Sequence, residues 1–272
     1  MSSSHSSYTS PSERPVRAGQ PERTIRAGKL IVIEGIDGSG KTVQTRLLVE
    51  RLSKQGYQVE MTDFPQYGKS FFADMIERYL KGEFGWPQEL KDHLEKHPLP
   101  GKGFGSKPEE VNPYLSSLLY AGDRLEIKGQ MNKWIDEGKI IISNRYVCSN
   151  MAHQGAKISN IKERNKFFKW IEELEYKVYA IPEPDLIIYL HVPTGVSQKL
   201  IKVKVQSEQG FKSEVDMHEE DVNYLKRVQN IYIAIAKEDS LWSTIDCSRN
   251  NQIIARDEIA EKVWKTVSKI LN

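Results

Sequence analysis

Cysteine is scarce in this chain: its 272 residues contain two, Cys148 and Cys247, far apart. Two distant thiols cannot build a disulfide framework, so they read as reduced side chains of a cytoplasmic protein. Long apolar runs are missing as well. None approaches the roughly 18–20 residues that a membrane-crossing helix needs, and no membrane partner is expected. Nor does either sign of charge dominate. Lys and Arg number 39 against 37 Asp and Glu, a net +2, which argues against a dedicated nucleic-acid binder. Core-forming side chains are nearly absent from residues 1–27, where serine, proline and arginine dominate, so a disordered tail is expected. Arg14, Arg17, Arg23 and Arg26 raise the alternative of a targeting peptide, but three prolines and two glutamates oppose its amphipathic helix.

From residue 28 onward, strand and helix patterns alternate to residue 272. Leu30–Glu34 is a continuous apolar strand of the kind buried on both faces. Lys41–Gln55 reads as a helix stopped by Gly56, and Tyr57–Thr62 as a second strand. A long helix is expected after Asn112 as N-cap and Pro113 at its first position, with Gly138 past its end. Three further apolar strands are expected at 139–143, 185–192 and 241–246, and a closing amphipathic helix over Ile253–Leu271. Such alternation predicts an α/β fold, a parallel sheet with helices on both faces. Residues 82–111 break the rhythm with repeated glycine and proline and read as a surface excursion.

Gly35-Ile36-Asp37-Gly38-Ser39-Gly40-Lys41-Thr42 fits G-x-x-x-x-G-K-[ST] between a buried strand and a helix. Glycines let backbone N–H groups curl around a phosphate, and the helix N-terminus adds partial positive charge. Lys41 is placed to reach the β- and γ-phosphates and Thr42 to ligand Mg²⁺, so ATP or GTP binding is expected through 35–42.

Three uses of the phosphate then compete. A GTPase needs an Asn-Lys-x-Asp motif at a strand end, and the nearest string, "NKWID" at 132–136, has the wrong spacing inside a helix. A motor ATPase needs an acid ending a second strand, but "IIIS" runs into Asn144-Arg145-Tyr146. Transfer to an acceptor needs further cations, because charge spreads over the moving phosphoryl oxygens. Arg145 lies just past a strand's carboxyl end, where open parallel sheets hold ligands. Tyr120 and Arg124, four apart on one helix, share a face that suits a base and its phosphate.

Five strings in order resemble the thymidylate kinase family: "IEGIDGSGKTVQ" (33–44), "DFPQYG" (63–68), "SLLYAGDRLE" (117–126), "NRYVCSNMAHQGAK" (144–157) and "IPEPDLIIYL" (181–190). The resemblance implies a P-loop NTPase fold in one domain, with a flexible lid near 198–216. It implies transfer of the γ-phosphoryl of ATP to dTMP, with Mg²⁺, by a homodimer. Asp37 then matches the loop acid near the acceptor's sugar and phosphate, Phe64 and Pro65 line the nucleoside, and Tyr120 stacks on thymine. Arg124 sits beside base and phosphate, Arg145 holds the acceptor phosphate, Asn150 and Gln154 face the base, and Tyr146 and Ser149 share their loop.

Three positions depart from the family's pattern. Relatives with glycine at the position of Gly38 supply a cation from the lid, which here offers Lys199, Lys202, Lys204 and Lys212 but no arginine. Lys202 or Lys204 is expected to reach the γ-phosphate as a point charge rather than a fork. Asn144 stands where the family usually has an aspartate in the Mg²⁺ shell. His153 stands where an aromatic is common, either lining the base pocket or simply packed. Arg249, in "DCSRNNQ" after the last strand, is expected at the ATP adenine, a plain turn being the alternative. Two rivals remain: a deoxynucleoside kinase with Asp63 as base, and a nucleotide-bound regulatory homologue of weak turnover.

Overall fold

A computed structural model of the chain describes residues 27–81, 111–207 and 222–271, apart from the side chains of 203–207. The expected tail, nearly all of the 82–111 excursion and the 208–216 part of the lid lie outside the described residues. In chain order the elements are β1 (Lys29–Glu34), α1 (Lys41–Lys54), β2 (Val59–Asp63), α2 (Phe71–Leu80), α3 (Pro113–Asp136) and β3 (Ile140–Asn144). Then come α4 (Val147–Gly155), α5 (Ile161–Glu172) with a π-helical turn (Glu173–Val178), β4 (Leu186–His191), α6 (Thr194–Ser207) and α7 (Val222–Glu238). The chain closes with β5 (Trp242–Asp246), a small hairpin of β6 (Ser248–Arg249) and β7 (Gln252–Ile253), and α8 (Arg256–Leu271).

β1 to β5 form one parallel sheet in the order β2-β3-β1-β4-β5. The phosphate-loop strand lies at its centre, which explains why "KLIVIE" is apolar without alternation: both faces are covered. Leu30 and Val32 join Ile141, Ile187 and Tyr189 in the cluster under α3, α4, α5 and α7. Ile31 and Ile33 point the other way, joining Ile142 and Ile188 beneath α1 and α8. Each fully buried aliphatic side chain contributes about 1.5–3 kcal/mol, so these two layers fix the register of the strands.

All five strands end in a polar residue: Glu34, Asp63, Asn144, His191 and Asp246. That row lies along the carboxyl edge of the sheet, where such folds bind ligands.

α3 begins as its sequence demands. The Asn112 side chain accepts from the Tyr114 N–H at 2.9 Å, Pro113 opens the helix, and Gly138 follows its end at φ 79°. Gly122 lets α2 approach, because a Cβ there would lie 2.6 Å from the Phe72 ring. Two expectations shift at their edges. β2 starts at Val59 rather than Tyr57, whose N–H instead bonds Leu52 O behind the helix stop. The last helix starts at Arg256 rather than Ile253, because Asn250 and Asn251 adopt positive φ and fold 248–253 into the hairpin.

Candidate active site

The loop between β1 and α1 is built for an anion. Gly38 and Gly40 hold φ of 74° and 85°, the left-handed region that glycine enters without strain. Gly40 caps α1 with no side-chain hydrogen bond, so the first amides of that helix face the loop without a side-chain acceptor. The Lys41 ammonium folds back over the loop, donating to Ile36 O at 2.9 Å and lying 3.6 Å from Asp37 Oδ1. A Cβ on Gly38 would lie 2.6 Å from Ser197 O and 2.9 Å from Ile201 Cγ1, so α6 presses directly on the loop.

Arg145 enters from β3. Its backbone takes φ 67°, unusual for a branched-off side chain of this size, and is held there by its N–H to Ile33 O at 3.0 Å and by Ser143 Oγ donating to its carbonyl at 2.6 Å. The guanidinium bonds Asp37 and also reaches Ser149 Oγ and His153 Nε2, each at 3.3 Å. Asp37 therefore has a cation from each side. Burial pushes its carboxyl up, but Arg145 and Lys41 outweigh this and hold it well below the ordinary range. Burial lowers the Lys41 ammonium, and Arg145 lowers it further, to about 8 despite Asp37.

Behind Arg145 lies Glu34, fully buried at the end of β1. Its carboxylate accepts from the N–H groups of Tyr146 (2.9 Å) and Ser149 (3.1 Å), from Ser149 Oγ (2.6 Å) and from the Tyr232 hydroxyl (2.8 Å). It thus anchors the start of α4 to β1 and fixes the direction in which Arg145 leaves the sheet. Asn144 lies beside it. Its Nδ2 donates to Asp63 Oδ1 at 2.8 Å and to Thr42 Oγ1 at 3.2 Å, joining three strand and helix ends.

Beyond the end of β2, Phe64 packs on Tyr146 with ring centres 5.8 Å apart. Pro65 is half-buried beside it. Asn150 Nδ2 donates to Ser117 O and Glu175 Oε1, both at 3.2 Å, while Gln154 Oε1 accepts from Ser116 Oγ at 2.7 Å. Tyr120 meets the edge of Tyr79 at 6.4 Å. The 64–70 segment is tied down by Asp123, which accepts from the Gln66 N–H at 3.0 Å and from Ser70, the N-cap of α2.

Three of the expected site residues are engaged by other protein groups in the structure. Arg124, expected beside base and phosphate, has its fork on a carboxylate of the protein. It is buried and bound by Glu175 at 2.5 and 2.6 Å, with Phe64 and Tyr146 rings 6.0 and 5.9 Å away. Tyr146, expected in the same loop, is fully buried, and its hydroxyl donates to Pro182 O at 2.9 Å. The left-handed turn at Arg145 sends that side chain outward and the next one into the core. Arg249, expected at the ATP adenine, lies on the hairpin, 67% exposed, with its guanidinium 2.9 Å from Glu258. Lys202 is exposed on α6 next to Ile201, whereas the side chain of Lys204 lies outside the described residues.

Glu34, Glu175 and Asp123 were not anticipated. Their partners are 112, 51 and 53 residues away, so the strings that contain Glu34 and Asp123 give no sign of these contacts, and Glu175 lies in none of them.

A protein-family model described as thymidylate kinase matches residues 33–93 and 104–258. The chain belongs to the thymidylate kinase family. It is 30% identical over 238 residues to a probable thymidylate kinase of Pyrobaculum aerophilum, covering 87% of this chain and 97% of that one. To the thymidylate kinase of Mycobacterium tuberculosis it is 27% identical over 213 residues, 77% of this chain and 86% of the relative. The solved thymidylate kinase of Candida albicans shares the fold with a TM-score of 0.61 at 20% identity, over 90% of this chain and 92% of that one. The phosphate-loop α/β architecture is therefore that of the family, and the match includes the loop, the Arg145 turn, and the segments that carry Phe64, Tyr120, Asn150 and Gln154.

Proposed function

We propose that the protein transfers the γ-phosphoryl group of ATP to dTMP, giving dTDP and ADP. One observation carries the reading: Lys41 from the loop after β1 and Arg145 from the end of β3 converge on a single carboxylate, Asp37. A cation suited to the donor and one suited to the acceptor are thus side by side, as a transfer between two phosphates requires.

In this reading an oxygen of the dTMP phosphate attacks the γ-phosphorus, a new P–O bond forms, and the bond to the β-phosphate oxygen breaks. The attacking phosphate is already an anion, so no strong base is needed; the residues position and neutralise. Lys41 leaves Ile36 O for the β- and γ-phosphates. Arg145 turns from Asp37 to the acceptor phosphate, and Asp37 remains near both. Lys202 or Lys204 would bring a cation from α6, which packs against Gly38. Phe64, Pro65, Tyr120, Asn150 and Gln154 would line the nucleoside, with Arg124 supporting that wall from beneath.

The residues present fit Mg²⁺. Thr42 Oγ1, Asn144 Oδ1 and Asp63 supply hard oxygens, and Asn144 Oδ1 is buried with no hydrogen-bond partner. Among the described residues no three His, Cys, Asp or Glu side chains gather as a metal cage. When bound, Mg²⁺ would neutralise charge on the β- and γ-phosphates.

We place the enzyme in the cytoplasm as a homodimer without nucleic-acid or membrane partners. Both cysteines are buried free thiols, and no described helix is long and apolar enough to cross a membrane. Phe71, Leu118 and Leu125 leave 66%, 37% and 36% of their surface exposed along α2 and α3, an apolar strip suited to helix pairing.

An ADP-release assay with ATP and dTMP, thymidine or neither tests the reaction. Turnover with dTMP is expected. Turnover with thymidine but not dTMP would assign the site to an uncharged acceptor, and no turnover with either would leave a nucleotide-binding protein.

A further inference from the structure

The end of β3 carries an amide, Asn144, and a carboxylate stands one strand away. Asp63 is the register partner of Asn144 across β2 and β3, so the two side chains emerge next to each other at the carboxyl edge. We propose, on the reading of the site as a Mg²⁺–ATP centre, that Asp63 supplies the negative charge of the metal shell and acts through the Asn144 amide.

The hydrogen bonds fix the orientation. An ionised carboxylate accepts only, so the Asn144 group facing Asp63 Oδ1 at 2.8 Å must be Nδ2. The same nitrogen donates to Thr42 Oγ1 at 3.2 Å, which engages both its hydrogens. Asn144 Oδ1 is then directed away from both partners, and it is a buried acceptor with no donor, in a residue only 4% exposed. Buried acceptors are seldom left so. A cation, or water bound to one, satisfies it. Asp63 polarises the amide from the far side and adds charge that the amide lacks, while its own exposed position leaves it open to a hydrated ion. Asn144 and Asp63 together thus divide between two strands the oxygen ligand and the charge that one aspartate would combine.

A purely structural role predicts a different result, since a strand-end tether affects nucleotide binding equally with and without metal. The test is calorimetric titration of ADP into the full chain, once with Mg²⁺ and once with EDTA, for the unaltered protein, Asp63→Asn and Asp63→Asn/Asn144→Asp. Asp63→Asn should reduce Mg²⁺-dependent ADP affinity by about ten- to a hundredfold, the usual effect of removing a group behind a metal ligand. Its affinity in EDTA should stay within about twofold of the unaltered value, because the phosphate-loop contacts are untouched. The double substitution returns the acid to β3 and should restore the Mg²⁺ effect. Asp63→Ser, checked by its melting temperature, replaces Asp63→Asn if that variant folds poorly. An unchanged Mg²⁺ effect, an equal loss in EDTA, or no recovery in the double variant would overturn the assignment. Failure of the dTMP reading shows separately, as absence of transfer to dTMP by the unaltered protein while the ADP comparison still gives its answer.

Discussion

The Arg124 guanidinium and the Glu175 carboxylate meet in a two-pronged pair, Nε to Oε2 at 2.5 Å and Nη2 to Oε1 at 2.6 Å, neither side chain more than 2% exposed. Burial disfavours the Arg124 charge, but Glu175 more than offsets it, and the guanidinium is held firmly protonated. The pair joins α3 to the π-helical turn after α5 and supports the wall formed by Phe64 and Asn150.

Glu175→Gln leaves a buried guanidinium without its counter-charge. Breaking such a pair costs about 3–5 kcal/mol, which urea denaturation would read as a lower midpoint. The wall above it should loosen, so KM for dTMP should rise more than KM for ATP. A variant as stable as the parent would show that the pair is not a support.

Arg145→Ala removes the cation assigned to the acceptor phosphate. Losing one such donor costs about 10²–10³ in rate, and steady-state kinetics should show that fall in kcat/KM for dTMP. ATP affinity at pH 8 should not fall, because Arg145 is one of the groups that depress Lys41. A parallel loss of ATP affinity would move Arg145 to the donor site.

Lys41 sets a pH dependence. Its pKa is about 8 in the fold, against an ordinary 10.5, first because of burial and then because of Arg145. The charged form is therefore penalised: the cost to the folded state is absent above the ordinary value, grows as pH falls towards 8, and is complete below it. Polyphosphate favours the charged form, so ATP binding near pH 8 should take up protons, and affinity should weaken above that pH. Calorimetry in buffers of differing ionisation enthalpy measures the uptake, and Lys41→Met should abolish it.

Gly38→Ala should harm both stability and turnover. Its φ of 74° disfavours a side chain by about 1–2 kcal/mol. In addition, the new Cβ would lie 2.6 Å from Ser197 O, pushing α6 off the loop. A lower melting temperature with reduced kcat is expected, whereas Gly40→Ala, with no protein atom within 4 Å, should lower the melting temperature by the backbone effect alone.

Local chemistry along the chain determined much of this protein. Unbroken apolar strands required a parallel sheet covered on both faces, and the glycine pattern at 35–42 required an anion loop, because both depend on neighbours within a few residues. Capping at Asn112 and Pro113 likewise set the start of α3. Only the tertiary structure decided which cations face the site. Arg124 and Arg145 were both expected near the acceptor phosphate, yet a glutamate 51 residues from Arg124 holds it in the core, while a left-handed turn held by Ile33 and Ser143 directs Arg145 to Asp37. The same holds for Asn144, whose link to Asp63 exists only because β2 and β3 pair in register. Charge placement in a folded site depends on partners distant in the chain, and short-range patterns carry no record of them.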